Sequence, residues 1–175
     1  MTDTNTASGH GASQSGDLNF ALLVRNALIV DGSGAPAFRG DVAVRDGVFV
    51  AIGPDLEGSA RQTIDAQGKV VTPGFVDIHT HYDGQATWGT HMSPSSNLGA
   101  TTVVMGNCGF TLAPCRADEA DYVFRNLERA EDISREAMLQ GIEWHWETFH
   151  AFMDVVDALP HGSNDAVYIG HSELR

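Results

Sequence analysis

The pattern of apolar residues changes abruptly at Pro73-Gly74, and this change divides the chain into two regions of different character. From residue 18 to residue 72, short alternating apolar runs are separated by turn residues, which is typical of β-strands. After Gly74, compact apolar runs alternate with amphipathic stretches, which is typical of a parallel sheet with crossover helices. The sequence therefore predicts part of a small β-sandwich domain at 18–72 and an α/β region at 73–175.

The first region is predicted to contain six short strands, preceded by a Ser/Thr/Gly-rich lead-in at residues 1–17. The lead-in lacks the basic start and apolar core of a secretory signal, so it is predicted to be disordered. Asp46-Gly47 predicts a hairpin turn, because both residue types tolerate a positive φ. The predicted strands are Phe20–Val24, Ala27–Val30, Asp41–Arg45, Val48–Ile52, Gln62–Asp65 and Lys69–Val71.

The second region is predicted to contain three strands and three helices. The strand Phe75–Ile78 is mostly apolar, which predicts burial on both faces. In the segment Trp146–Leu159, apolar residues recur at helical spacing until Pro160 ends the pattern. The other predicted elements are strands Ala100–Met105 and Ala166–Ile169 and helices Ala117–Ala130 and Arg135–Leu139. His145, His150 and His161, which flank or lie on the long helix, are predicted to be surface residues.

Composition excludes several classes of partner. The net charge is −13 with only ten Lys and Arg residues, so no nucleic-acid partner is expected. No run of about 18 apolar residues occurs, so no membrane span is expected. The two cysteines, Cys108 and Cys115, do not make a disulfide framework, and without an export signal a cytoplasmic location with reduced thiols is predicted. The oligomeric state is left open.

His79-Thr80-His81 directly follows the predicted strand Phe75–Ile78. Residues i and i+2 of a strand point to the same side, so the two imidazoles should project together. In a parallel barrel the carboxyl end of a strand lies at the mouth, where ligands bind. Two imidazoles suit a zinc-like ion. The alternative is a pair of histidines in a polar loop, but the position at the end of an apolar strand favours a metal site.

Cys108 lies in Gly106–Phe110, at the end of the next predicted strand. A thiolate is a strong ligand for zinc, and the flanking glycines allow a tight turn close to an ion. Considered alone, Cys108 is more often a small buried apolar residue. Cys115 follows Pro114 without any ligand spacing around it, so no metal role is predicted for it.

Several segments together resemble a known family. Val71–His81 resembles the opening of the barrel of the amidohydrolase superfamily. Gly99–Phe110, with its Asn-Cys-Gly block, is similar to the N-acyl-D-amino-acid deacylase (D-aminoacylase) branch and is the more specific match. The resemblance extends over about residues 18 to 175, with further similarity at Tyr82–Gln85, Trp146–Phe149 and Gly170–Arg175.

The resemblance implies a β-sandwich followed by a (β/α)8 TIM-type barrel, and hydrolysis of the linear amide bond of a small N-acyl amino acid. It implies one or two Zn2+ ions, with His79 and His81 as the first two ligands and Cys108 as the bridging ligand. The family also needs later histidines and a general-base aspartate, expected beyond Arg175, so no catalytic residue is assigned in this chain. A complete barrel takes roughly 250 residues. The chain is therefore expected to be an incomplete N-terminal part that is inactive alone.

Four further residues are candidates for positions beside the ion or the substrate: Asp83, Asn107, His171 and Arg175. Asp83 is equally compatible with a hydrogen bond to an imidazole and with a loop cap. Arg175 is a candidate partner for a substrate carboxylate. Two other functions stay open: a cyclic-amide hydrolase of the dihydroorotase or hydantoinase type, which the Asn-Cys-Gly block disfavours, and a non-catalytic remnant of a truncated gene.

Overall fold

The computed structural model describes residues 20–175, so the prediction for residues 1–17 lies outside the described residues. The chain divides into two compact units that meet in sequence between Pro73 and Gly74. The described part of the first unit consists of β-strands and their connections. The second unit contains three parallel strands together with helices. The described chain is therefore of the α/β class.

The described part of the first unit is one five-stranded sheet with the order β3-β2-β1-β4, in which β5 also pairs with β1. Strand β1 is antiparallel to β2 and parallel to both β4 and β5. Ala27, Ile29 and Val42 form a buried cluster on this sheet. The strands are β1 (Phe20–Ile29), β2 (Phe38–Arg45), β3 (Val48–Gly53), β4 (Ala60–Asp65) and β5 (Val70–Val71). The described residues of this unit form a single sheet, and the β-sandwich stays a prediction.

The first two predicted strands are in fact one strand, β1, with a bulge at Arg25-Asn26. These two residues lie opposite the single residue Asp41 of β2. Asn26 has a φ of 57°, a conformation that Asn adopts more readily than most residues, and its N–H donates to Oδ1 of Asp41 at 3.0 Å. The prediction of two strands was wrong because Asp41 accepts the hydrogen bond that the bulged backbone needs, so the sheet continues past the polar pair.

The hairpin predicted at Asp46-Gly47 is confirmed. Asp46 and Gly47 have φ values of 50° and 76°, and a turn with two positive φ values matches the twist of the adjoining strands. Arg45 pairs with Val48 directly across this turn. The sequence signal was reliable here because the turn conformation depends on the two residues themselves.

The second unit is a parallel sheet of order β6-β7-β8 with three α-helices. Its strands are β6 (Phe75–Asp77), β7 (Ala100–Met105) and β8 (Asn164–Val167), and its helices are α1 (Ala120–Glu131), α2 (Arg135–Gly141) and α3 (Phe149–Asp157). Short 3-10 turns lie at Gln85–Thr87, Ser96–Leu98, Asn107–Gly109 and Ala117–Glu119. Parallel strands that lie in sequence order are the arrangement with which a (β/α)8 barrel begins.

Helix α3 begins three residues later than its apolar pattern suggested. Thr148 caps the helix by accepting a hydrogen bond from the backbone N–H of Ala151 at 3.1 Å, so the helix starts at Phe149. Trp146 lies before the helix, where its indole N–H donates to the carbonyl oxygen of Leu112 at 2.8 Å in the buried core. Among the described helices, none combines the length and the apolar character required to cross a bilayer.

Strand β6 is more exposed than predicted. Phe75 and Val76 are 65% and 55% exposed, because among the described residues β6 has a neighbouring strand, β7, on one side only. A Cβ atom at Gly74 would lie 1.9 Å from Oγ1 of Thr101, so glycine allows the close approach of these two strands. Strand β8 begins at Asn164, two residues before its predicted start, because its register with β7 begins at Thr102.

Candidate metal centre

His79 and His81 lie shortly after the end of β6, and the residue between them anchors this segment to β7. Thr80 donates its backbone N–H and its hydroxyl to the carbonyl oxygen of Val104, at 2.9 Å in both cases, and Thr80 is buried. The two imidazole rings lie close together although the segment is no longer a strand. Their ring centroids are 5.5 Å apart. The structure thus brings together the two histidines that the sequence singled out.

Cys108 lies on a tight turn directly after β7. Gly106 and Gly109 on either side have φ values of 81° and 83°, and a Cβ atom at Gly106 would lie 2.4 Å from the carbonyl oxygen of Tyr168. Glycine is therefore required at Gly106 both for its conformation and for space. Cys108 itself has a φ of 57°, a conformation that is costly for a side chain of this kind and is found most often at functional sites.

Asn107 ties this turn to the segment that carries the histidines. Its side-chain amide donates to the carbonyl oxygens of Thr80 and Val104, at 3.0 and 2.8 Å. The sequence placed Asn107 beside the site without a defined partner. The structure gives it backbone partners, so it holds Cys108 close to His79 and His81 rather than contacting a ring.

The three side chains are spaced as the ligands of one ion would be. Sγ of Cys108 lies 3.4 Å from Nε2 of His79 and 3.8 Å from Nε2 of His81, and the three atoms all lie within 4.8 Å of one another. In a tetrahedral zinc site with the usual bond lengths, a sulfur and a nitrogen ligand are about 3.6 Å apart. The observed separations lie on either side of that value.

Glu131, the last residue of α1, is a neighbour of this cluster that the sequence analysis missed. Its Oε2 lies 3.0 Å from Nε2 of His81, and its side chain is 16% exposed. Loss of hydration raises the pKa of the Cys108 thiol, and the hydrogen bond of the thiol to Glu131 and the charge of that carboxylate raise it further. No spacing in the sequence links Glu131 to the histidines, because the contact depends on where α1 ends in space.

Asp83 is buried, and one of its two carboxylate oxygens has no hydrogen-bond partner. Its Oδ2 accepts from the backbone N–H of Gly106 at 3.1 Å, while Oδ1 is unpartnered. Burial raises the pKa of Asp83 to about 7, against the lowering effect of the hydrogen bond from Gly106. The imidazole partner considered from the sequence is not what the structure shows: the partner of Asp83 is this backbone group, and the buried Nδ1 of His81 has no partner among the described residues.

The loop after β8 borders the turn that carries Cys108. The backbone N–H of Ser172 donates to the carbonyl oxygen of Gly109 at 3.0 Å, and Oε2 of Glu173 accepts from the N–H of Thr111 at 3.3 Å. His171 is exposed, with its Cβ next to Gly109. Arg175 is also exposed, and within the described residues neither its side chain nor that of His171 makes a hydrogen bond or ion pair.

His161 is the histidine whose predicted surface position was wrong. Its side chain is 5% exposed, whereas those of His145 and His150 are 65% and 90% exposed. Nδ1 of His161 lies 3.1 Å from Oδ1 of Asp165, and Nε2 lies 2.9 Å from the carbonyl oxygen of Ala86. His161 lies just before the amino end of β8, whereas the metal-ligand cluster lies at the carboxyl ends of the strands. Its contacts therefore stabilise the fold away from the cluster.

The chemistry of the cluster fits a divalent cation. Asp83, Glu131 and Glu173 raise the density of negative charge around the Cys108 turn, and within the described residues no Lys or Arg forms an ion pair with any of them. The charges of Glu173 and Glu131 contribute to the raised pKa of Asp83, and burial raises the pKa of Glu173. A bound cation would supply the missing positive charge and favour the thiolate form of Cys108.

Comparison with known proteins identifies the family. The model of the amidohydrolase family matches residues 62–175. A D-aminoacylase from Alcaligenes xylosoxydans xylosoxydans is 37% identical over 163 residues, which are 93% of this chain and 31% of that protein. An N-acyl-D-glutamate deacylase structure from Bordetella bronchiseptica, in complex with zinc and a phosphonate inhibitor, matches with a TM-score of 0.65 and 32% identity, over 89% of this chain and 30% of that one. An allantoinase from Rubrobacter xylanophilus is 45% identical over 83 residues, 46% of this chain and 18% of that protein.

The family match covers more than half of the chain, so the chain belongs to the amidohydrolase family. Its similarity to the D-aminoacylase and to the solved deacylase extends across both compact units. The chain spans about 30% of the length of those two proteins.

Proposed function

We propose that the whole protein is a metal-dependent hydrolase of linear amide bonds that removes the acyl group from N-acyl-D-amino acids. The observation that carries this proposal is the cluster of His79, His81 and Cys108 in a chain of the amidohydrolase family. The similarity to a D-aminoacylase over 93% of the chain supports the substrate class. A small N-acyl amino acid is the proposed partner, and a cytoplasmic location remains a prediction.

We propose Zn2+, as one or two ions, for the cofactor, because two imidazoles and a thiolate form a typical zinc ligand set. When bound, zinc supplies Lewis acidity, which polarises an acyl carbonyl group and lowers the pKa of water. His79, His81 and Cys108 would hold the ion. Thr80 and Asn107 position these ligands through their hydrogen bonds to the end of β7.

Residues for substrate contact are part of the same proposal. His79 and Cys108 are exposed among the described residues, so a small molecule could reach the cluster. His171 lies beside Gly109 on the loop that borders the cluster. We propose His171 and Arg175 for substrate contact, with Arg175 as the partner of a carboxylate because a guanidinium binds that group with two hydrogen bonds.

The metal assignment is tested by comparing the two cysteines in the full-length protein. Cys108→Ala is expected to abolish both zinc retention and amide hydrolysis, whereas Cys115→Ala, whose thiol lies outside the cluster, is expected to retain both. Zinc is measured by elemental analysis after dialysis, and hydrolysis by release of free amino acid. Activity that survives in Cys108→Ala with zinc still bound would show that Cys108 is not a ligand.

A panel of substrates separates this proposal from the cyclic-amide alternative. The similarity to an allantoinase over 46% of the chain is the reason to test a cyclic-amide hydrolase as the second candidate. N-acetyl derivatives of several D-amino acids, their L enantiomers and a set of hydantoins are compared at equal concentration. We expect turnover of the D-amino-acid derivatives. Turnover of the hydantoins alone would reverse the assignment of the substrate class.

A further inference from the structure

Glu131 occupies a position that is unfavourable for an anion unless a positive group lies close to it. It is the last residue of α1, where the helix dipole presents its negative end, and Asp132 follows it with a φ of 57°. Its side chain is largely buried, so water compensates its charge only in part. Other carboxylates lie nearby, because the charge of Glu131 contributes to the raised pKa of Asp83.

The contacts of Glu131 point to the ligand cluster. Among the described residues its one ion-pair partner is His81, with Oε2 at 3.0 Å from Nε2. That nitrogen is the same atom that faces Sγ of Cys108 at 3.8 Å. The Glu131 carboxylate is also close enough to the Cys108 thiol to raise the pKa of that thiol. The carboxylate therefore lies beside two of the three atoms that would hold an ion.

The charge of a bound metal ion would explain why a carboxylate lies beside these ligand atoms. A divalent cation held by two neutral imidazoles and one thiolate keeps a net charge of about +1. One further carboxylate next to the same ligand atoms neutralises the centre, and a carboxylate oxygen is itself a good zinc ligand. We propose that Glu131 is a further metal-binding residue of this centre and provides an oxygen donor and a negative charge beside His81 and Cys108. This inference rests on the proposed metal site and adds a ligand from helix α1.

The test compares three variants of the full chain with the unchanged protein. Glu131→Gln keeps the size of the side chain and removes its charge, Glu131→Asp keeps the charge and shortens the reach, and Glu136→Gln is the control. Glu136 is an exposed residue of the neighbouring helix α2 and lies outside the cluster. Binding of Co2+ is followed by its thiolate charge-transfer and visible absorption bands, and Zn2+ affinity is measured by competition with bound Co2+.

Glu131→Gln is expected to weaken binding of Co2+ and Zn2+ by about 10- to 100-fold, the range found when a residue supporting a metal site is removed. The visible bands of Co2+ should also shift, because an oxygen donor is lost. Glu131→Asp is expected to bind the ions more tightly than Glu131→Gln and less tightly than the unchanged protein. Glu136→Gln is expected to match the unchanged protein.

The outcomes separate this inference from the proposed function. If the unchanged protein binds neither ion at the cluster, the metal site fails and the role of Glu131 fails with it. If the unchanged protein binds and Glu131→Gln binds equally well or more tightly, with the same bands, the metal site stands and the role of Glu131 is overturned. Circular dichroism of the metal-free proteins checks folding. Should Glu131→Gln not fold, Glu131→Asp decides, since affinity and bands equal to those of the unchanged protein overturn the inference.

Discussion

Two buried aspartates, one in each compact unit, show how differently the two parts of this chain treat a buried charge. Asp41 in the first unit is 5% exposed and is bound by the guanidinium of Arg25 and by the backbone N–H groups of Asn26 and Leu56, at 3.0 to 3.1 Å. Asp83 in the second unit is 1% exposed, with one backbone donor and one unpartnered oxygen. A satisfied buried carboxylate stabilises a fold, whereas an unsatisfied one marks a place where stability is given up.

The difference follows the position of the metal-ligand cluster. Asp83 accepts from Gly106, two residues before Cys108, and lies two residues after His81. Asp41 supports a strand bulge in the all-β sheet. The buried Nδ1 of His81 is likewise without a hydrogen-bond partner among the described residues. Polar groups beside the cluster are thus left without partners, and a bound ion is expected to stabilise this part of the chain.

The largest effect on stability is expected for Asp41→Ala. Removal of the carboxylate leaves a guanidinium and two backbone N–H groups without their acceptor, which should lower the free energy of unfolding by about 3 kcal/mol. Urea denaturation of the metal-free protein measures the change. Glu57→Ala, at an exposed position of the same unit, is the control and should change stability little. An equally small effect of Asp41→Ala would remove the contrast between the two aspartates.

His161→Ala tests whether the contrast lies between the two units or between the metal cluster and the scaffold. His161 belongs to the second unit, but its two nitrogens contact Asp165 and the carbonyl oxygen of Ala86. We expect a loss of about 2 kcal/mol in unfolding free energy, because a buried hydrogen-bonding group is removed from both partners. His150→Ala, 90% exposed, is the matched control. If His161→Ala left the unfolding free energy unchanged, buried polar groups would contribute little to stability throughout the second unit, and not only beside the cluster.

Asp83→Asn is expected to change the pH dependence of stability. Burial raises the folded-state pKa of Asp83 from 3.8 to about 7, so between these values the folded protein binds a proton that the unfolded chain has lost. Stability of the unchanged protein therefore falls as pH rises, by about 1.4 kcal/mol per pH unit at most. The asparagine variant has no carboxyl group to titrate at this position. Its unfolding free energy should therefore rise relative to that of the unchanged protein between about pH 5 and about pH 6.5. Parallel denaturation curves with a chelator at several pH values give the difference, and a constant offset would refute the raised pKa.

The smallest expected effect is a difference in the alkylation rates of the two cysteines. Burial, with the charge of Glu119 next, raises the pKa of Cys115 to about 11, so near pH 8 only about one molecule in a thousand carries the reactive thiolate. Cys108 is exposed and should react faster with iodoacetamide. Added Zn2+ should protect Cys108 and leave Cys115 unchanged. Mass spectrometry of the labelled peptides reports both rates, and an absence of zinc protection at Cys108 would contradict its place in the centre.

Some elements could be predicted correctly from the sequence and others could not, and the reasons are physical. The Asp46-Gly47 hairpin and the alternation of strands and helices after Gly74 were predictable, because each depends on residues close together in the chain. The start of α3 was placed too early, because a side-chain cap at Thr148 overrides the apolar period. The break proposed at Arg25-Asn26 was wrong, because the acceptor that keeps β1 continuous comes from Asp41 on another strand.

By itself the sequence determined that His79, His81 and Cys108 stand at the ends of consecutive strands, because strand ends are readable from apolar runs and turn residues. Only the tertiary structure decided which side chains surround them. Glu131 reaches His81 because α1 ends beside the cluster, and His161 is buried because Asp165 and the carbonyl of Ala86 enclose it. Local conformation is set by neighbouring residues in the chain, whereas the pairing of buried polar groups depends on segments that meet only when the chain folds.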